Sequence, residues 1–191
     1  LGVANHNNFF RFLSDEKICR SIINSGDWQG VASIAVAFAN LNVIDYYRKY
    51  FDILSEKNVC KNIMKFGHPL SIGSIAHAFS TLGISEHGNY FDALLDKNVC
   101  KLIIKNGDAQ TISTIAHSLA NLAVTNNRNF FLALSYDGGK SLINASEAQS
   151  LCNCLWSFAC LGLLTTREYD SIIRSLWRKA ISLPVASFSI E

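Results

Sequence analysis

The stretches IAHAFSTLGI (75–84) and IAHSLANLAV (115–124) say nearly the same thing 40 positions apart. A catalytic motif is normally written once, whereas a segment that returns at a fixed step is architecture. The step extends outward in both directions. Leu41, Leu82, Leu122 and Leu161 lie 41, 40 and 39 residues apart, closing the runs IAVAFANL, IAHAFSTL, IAHSLANL and CLWSFACL. Phe10, Phe51, Phe91 and Phe131 keep the same period, with Tyr169 after a slightly shorter step. NVCKNIMKFG (58–67) also returns almost verbatim as NVCKLIIKNG (98–107). Three markers sharing one period leave no room for chance.

Each unit opens with a helix. Val31, Ile34, Ala35, Phe38 and Leu41 fall at i, i+3, i+4, i+7 spacing and form one apolar stripe. The period then places Phe38, Phe79, Leu119 and Phe158 in equivalent buried positions. Small flanking residues such as Ala32, Ala37 and Ala39 permit close approach of a neighbouring helix. The second part of the unit, about 45–66, does not fit one straight helix, because Phe51 and Leu54 are out of phase with Val59, Cys60 and Ile63. A kink or a break into two short helices is expected at SEKN (55–58), at LDKN (95–98) and at SYDGGK (135–140). Strand patterning is missing.

The expected fold is an all-α solenoid of about four helical-hairpin repeats with a period near 40 residues. It reads as a single array over 1–191, with units near 1–26 (partial), 27–67, 68–107, 108–145 and 146–183 and a tail at 184–191. LGVANHNNFF (1–10) matches LGISEHGNYF (82–91), so a further helix is expected ahead of Leu1 and the chain reads as an excerpt from a longer array.

Composition agrees with a packed domain. The chain has 191 residues, 49% hydrophobic and 17% charged, with two prolines, which is far from the disordered class. A net charge of +2 gives only weak general attraction for an anionic partner. No apolar run reaches membrane-spanning length, and no membrane partner is expected. Of the six cysteines, Cys19, Cys60 and Cys100 recur at one place in the repeat, while Cys152, Cys154 and Cys160 form no CxxC pair. They read as small buried thiols in a reducing compartment, with no disulfide framework and no metal site.

The run LCNCLWSFACLGLL (151–164), together with IAHAFSTLGI and its copies, resembles the octotricopeptide and heptatricopeptide helical repeats. Those arrays carry a small-and-aromatic helix ending in a leucine-glycine pair; here Asn42 and Ala123 replace the glycine in two copies. The resemblance covers essentially the whole chain. It implies an organellar RNA-binding protein, mitochondrial or alternatively plastid, engaged in transcript processing or held in a mitochondrial ribosome. The RAP domain that often closes such proteins is not evident in 175–191.

Two repeated faces compete for that role. Opposite the apolar stripe of the leading helices lie Gln29, Ser33, Val36, Asn40; Leu70, Ser74, His77, Thr81; Gln110, Thr114, His117, Asn121; and Gln149, Asn153, Trp156, Cys160. Neutral donors and acceptors with an imidazole or an indole suit hydrogen bonding and stacking on unpaired bases. The competing reading is a solvated helix face. His77 and His117 make no zinc pair, since stacked helices lie ~8–10 Å apart, too far for two ligands each ~2.0–2.1 Å from one metal.

The second face is basic. Lys57, Lys61 and Lys65 occupy i, i+4, i+8, and Lys97, Lys101 and Lys105 repeat them 40 residues later. Stacked repeats would make these a ladder that neutralises phosphates, with Lys17, Arg20 and Lys140 extending it imperfectly. Exposed lysines are otherwise ordinary solvated surface. There is no glycine-rich phosphate loop, HExxH or GxSxG, so no enzyme and no cofactor is expected. Asp27, Asp108 and Glu147 fall at helix starts, where carboxylates cap amides. The expected partners are an rRNA or organellar transcript and neighbouring proteins of a ribonucleoprotein complex. The rival reading is a protein-protein scaffold that makes no RNA contact.

Overall fold

A computed structural model describes residues 7–41, 44–85, 88–145 and 147–184. Those residues form helices joined by short turns, with no strand among them. The chain divides into two compact units, Leu1–Ala93 and Leu94–Glu191. The first holds α1 (Asn7–Leu13), α2 (Glu16–Asn24), α3 (Trp28–Leu41), α4 (Ile44–Leu54), α5 (Lys57–Phe66) and α6 (Pro69–Thr81), and α7 (Gly88–Leu94) runs to its boundary. The second holds α8 (Lys97–Asn106), α9 (Ala109–Asn121), α10 (Arg128–Ala133), α11 (Gly139–Ala145), α12 (Ala148–Cys160) and α13 (Asp170–Ile181). A π-helical turn at Leu134–Gly138 joins α10 to α11, and a 3₁₀ turn at Arg167–Tyr169 leads into α13.

The period seen in the sequence is kept by the helices. The leading helices α3, α6, α9 and α12 begin at Trp28, Pro69, Ala109 and Ala148, the same steps as the leucine markers. Carboxylates cap the starts of α3 and α9. Asp27 accepts from the Gly30 amide at 3.0 Å, and Asp108 accepts from the Thr111 amide at 2.7 Å. Glu147 caps no amide; its carboxylate takes the Ser150 hydroxyl instead. Three of these helices end in a Schellman turn, with Gly83, Ala123 and Gly162 in the left-handed region. Asn42 lies outside the described residues.

Phe38 and Phe79 are buried in the first unit, and Leu119 and Phe158 in the second. α3 packs on α6, and α9 on α12. Buried small residues (Ser71, Gly73, Ala76 and Ala78 on α6) leave room for that approach. Around each phenylalanine an aromatic cluster forms at the same register. Phe51 meets Phe79 edge-on at 4.8 Å, and Phe131 meets Phe158 edge-on at 4.8 Å. Tyr50 donates its hydroxyl to the Val31 carbonyl at 2.8 Å, and Tyr90 does the same to Ile72 at 2.7 Å. These bonds tie α4 to α3 and α7 to α6.

The phase slip is resolved by breaking the helix. α4 stops at Leu54 and α5 starts at Lys57, which lets Phe51 and Leu54 on one side and Val59, Cys60 and Ile63 on the other all be buried. The same break separates α1 from α2 and α7 from α8. A helix end leaves carbonyls without partners, and the recurring cysteine supplies one. The Cys19, Cys60 and Cys100 thiols donate to the Leu13, Leu54 and Leu94 carbonyls at 3.0, 3.2 and 3.4 Å. On the other side of the break, Asp15 and Asp96 each accept from two amides of the new helix. Asparagines at the same register seal the corner from the next hairpin. Asn89 donates to the Ser55 carbonyl at 3.1 Å, and Asn129 donates to Leu95 at 2.9 Å.

The last copy differs. Forty residues after Asp96 and Cys100 stand Tyr136 and Lys140, so neither the capping carboxylate nor the thiol is present. The chain does not break there but passes through the π turn into α11.

Candidate nucleic-acid interface

The polar face of the leading helices is open to solvent in each unit. In the first, Gln29, Ser33, Asn40, Leu70, His77 and Thr81 are exposed, and Val36 and Ser74 are half-buried. The His77 Nε2 and the Thr81 hydroxyl, one turn apart, approach to 3.5 Å. In the second, Gln110, Asn121, Gln149, Trp156 and Cys160 are exposed, and Thr114, His117 and Asn153 are half-buried. Because α9 packs on α12 at the 39-residue step, His117 faces Trp156 across the two helices. Their rings stack at 4.7 Å between centroids and 28° between planes, and Trp156 stays 42% exposed. The result is an aromatic platform flanked by amide and hydroxyl groups.

The lysines lie on other helices. On α5, Lys57, Lys61 and Lys65 are exposed, opposite the buried Val59, Cys60, Ile63 and Met64. On α8, Lys97, Lys101 and Lys105 are exposed, opposite Cys100, Ile103 and Ile104. Among the described residues none of the six makes an ion pair; Lys65 sits 4.8 Å from the exposed Phe66 ring instead.

Four other cations are committed. Arg20, expected to extend the basic row, is held by Glu56 in a two-pronged bond of 3.1 and 2.7 Å and also reaches Glu16. Glu56 first and Glu16 second keep that guanidinium more firmly charged than usual. Glu16 also pairs with Lys49 at 3.0 Å, and Lys49 and then Arg20 hold its carboxyl below the ordinary range. Arg20 is therefore a structural cation of the first unit and no extension of the row. Arg128 pairs with Glu168 and Arg174 with Asp170. Lys17 and Lys140 are exposed.

Four of the six cysteines serve the core, against the expectation that all are buried. Burial pushes the Cys19 and Cys60 thiols up to about 11 and those of Cys100 and Cys154 up to about 12, while Cys152 and Cys160 are exposed. Among the described residues no three His, Cys, Asp or Glu side chains converge to hold a metal ion, and no helix is long and apolar enough to cross a membrane.

Sequence reasoning missed Tyr136, which stands 77% exposed on the π turn near Lys97 and Lys101. The missing aspartate at its register was the only sign. No protein-family model matches the chain, and neither a curated protein nor a solved structure matches it.

Proposed function

We propose that the chain is an RNA-binding α-solenoid that holds a single-stranded segment by charge and stacking and performs no chemistry on it. The observation that supports this best is the recurrence of one exposed lysine row. Lys57, Lys61 and Lys65 on α5 return as Lys97, Lys101 and Lys105 on α8, all six exposed and without an ion pair among the described residues. Spaced, unpaired ammonium groups are what phosphate neutralisation needs. The His117–Trp156 platform adds a surface on which an unpaired base stacks. The resemblance to octotricopeptide and heptatricopeptide repeats is what speaks for an organellar RNA, and a mitochondrial ribosome is a setting that suits binding by charge and shape.

A second reading, a scaffold for protein partners, draws on α13. Trp177 and Ile181 lie one turn apart there and are 59% and 67% exposed. The two readings separate in a titration of labelled oligouridylate and a duplex RNA of equal length over a salt series. The RNA reading expects the single strand to bind more tightly, with affinity falling steeply as salt rises. Trp156→Ala should weaken the single strand and leave the salt slope alone. No binding of either RNA at low salt would leave the scaffold.

A further inference from the structure

The second unit contains a pocket of about 390 Å³ lined by Lys97, Lys101, Asn129, Leu132, Ala133 and Tyr136. It exists because of the π turn. At the α7–α8 corner the chain breaks and Asp96 turns its carboxylate onto the amides of Asn98 and Val99. Forty residues on, Tyr136 replaces the aspartate and the unbroken chain carries the phenol out to 77% exposure. π turns inside helices occur often at functional sites.

The lining is chemically divided. Lys97 and Lys101 lie one turn apart, on the same side of α8, about 6 Å along the axis at 1.5 Å per residue. Neither makes an ion pair among the described residues, and Asp96 is occupied with the helix amides. Leu132 and Ala133 supply apolar wall. Asn129 is locked by its amide bond to the Leu95 carbonyl, which leaves its own carbonyl oxygen as an acceptor. The Tyr136 ring is a stacking surface. The volume falls in the range of small-ligand sites, which runs from about 300 to 1,000 Å³.

We propose that this pocket takes a nucleoside 5′-phosphate, as one unstacked unit of a bound single strand. The two ammonium groups hold the phosphate, and Tyr136 and the apolar wall hold the base. The proposal rests on the RNA-binding reading for its source of ligand, since a free mononucleotide carries the same chemistry.

The full chain is titrated with a labelled 12-nucleotide oligouridylate, with 5′-UMP and with inorganic phosphate, following anisotropy for the first and backbone amide shifts for all three. Tyr136→Ala should weaken the oligonucleotide by about fivefold to a hundredfold at an unchanged salt slope. Tyr136→Phe, which keeps the ring, should bind as the parent does. Lys97→Gln with Lys101→Gln should flatten the log-affinity against log-salt line by about 1.4, at 0.7 per single-strand contact. UMP should shift the amides of 132–136, and phosphate alone should not. If Tyr136→Ala binds the oligonucleotide as the parent does, the pocket is overturned and the RNA reading stands. If UMP shifts 132–136 while the oligonucleotide does not bind, the pocket is a mononucleotide site and the RNA reading falls. Equal shifts from UMP and phosphate overturn the base contact, and no shift from any probe overturns the site.

Discussion

Ala123 is the one described non-glycine residue at positive φ, +49°, at the position where Gly83 and Gly162 close their helices at +65° and +69°. For a residue with a Cβ the left-handed region costs roughly 1–2 kcal/mol. Replacing Ala123 with glycine removes that strain and leaves the turn intact. Its own amide bond to the Ala120 carbonyl at 3.0 Å and the Val124 bond to Leu119 at 2.9 Å both come from the main chain. Against the gain stands the extra freedom of glycine in the unfolded chain, about 0.4–1 kcal/mol. The balance favours Ala123→Gly by about 0.5–1 kcal/mol, the difference between those two contributions. For a chain of this length that is a rise of about 1–4 °C in melting temperature. The reverse changes, Gly83→Ala and Gly162→Ala, should lower it by a similar amount. A Cβ at either glycine meets nothing within 4 Å, so any loss is conformational and not steric. Thermal unfolding followed by circular dichroism and calorimetry reads all three variants. A fall in melting temperature for Ala123→Gly, or a rise for Gly162→Ala, would refute the reasoning.

At Gly139 an added Cβ meets the Cδ1 end of Ile172, which must turn aside. Because that atom is the far end of a flexible side chain, and alanine gains about 1 kcal/mol over glycine in a helix, Gly139→Ala should change stability by less than about 1 kcal/mol in a denaturant titration; a much larger loss would contradict this. Tyr90→Phe deletes the bond to the Ile72 carbonyl and should cost about 1 kcal/mol. The equivalent Phe130 is buried without a hydroxyl, so the variant should fold, and unfolding at low denaturant would contradict this. Thiol titration of the native protein should count two reactive cysteines, Cys152 and Cys160, and all six after denaturation. The buried thiols also make stability depend on pH. An unfolded thiol ionises from about 8.5, whereas Cys60 and Cys100 are held neutral to about 11 and about 12. Stability from these groups should be full below the unfolded value and decline as pH rises toward the folded ones; no decline in alkali for the parent relative to Cys60→Ala would argue against it.

The helices were legible because their signal is local and repeated. Phe38 and Phe79 recur at one place in an apolar stripe, and a stripe needs no knowledge of its neighbours. The helix break was legible as a phase conflict between Phe51 and Cys60. Its chemistry was not, since a thiol donating to a carbonyl six residues back carries no sequence signature of its own. At 135–140 the sequence pattern leaves a kink and a break equally open, and only the structure shows the π turn at 134–138. Only the role of Asp96 as a cap makes the tyrosine in its place informative. Arg20 looked like one more surface cation, and its partner Glu56 lies 36 residues away, beyond any local pattern. The division at 93–94 has no marker in composition or spacing.

The central claim is that repeated lysines hold a single-stranded RNA. It is tested most directly by measuring oligouridylate affinity against salt for the parent and for the variant carrying Lys57→Gln, Lys61→Gln, Lys97→Gln and Lys101→Gln. All four side chains are exposed, so the variant should keep its helical spectrum and melting temperature. The log-log slope should flatten by about 2.8, at 0.7 for each lost contact with a single strand, with a matching loss of affinity at low salt. A quadruple variant that binds with the parent's affinity and the parent's slope would contradict the claim and make both lysine rows solvated surface.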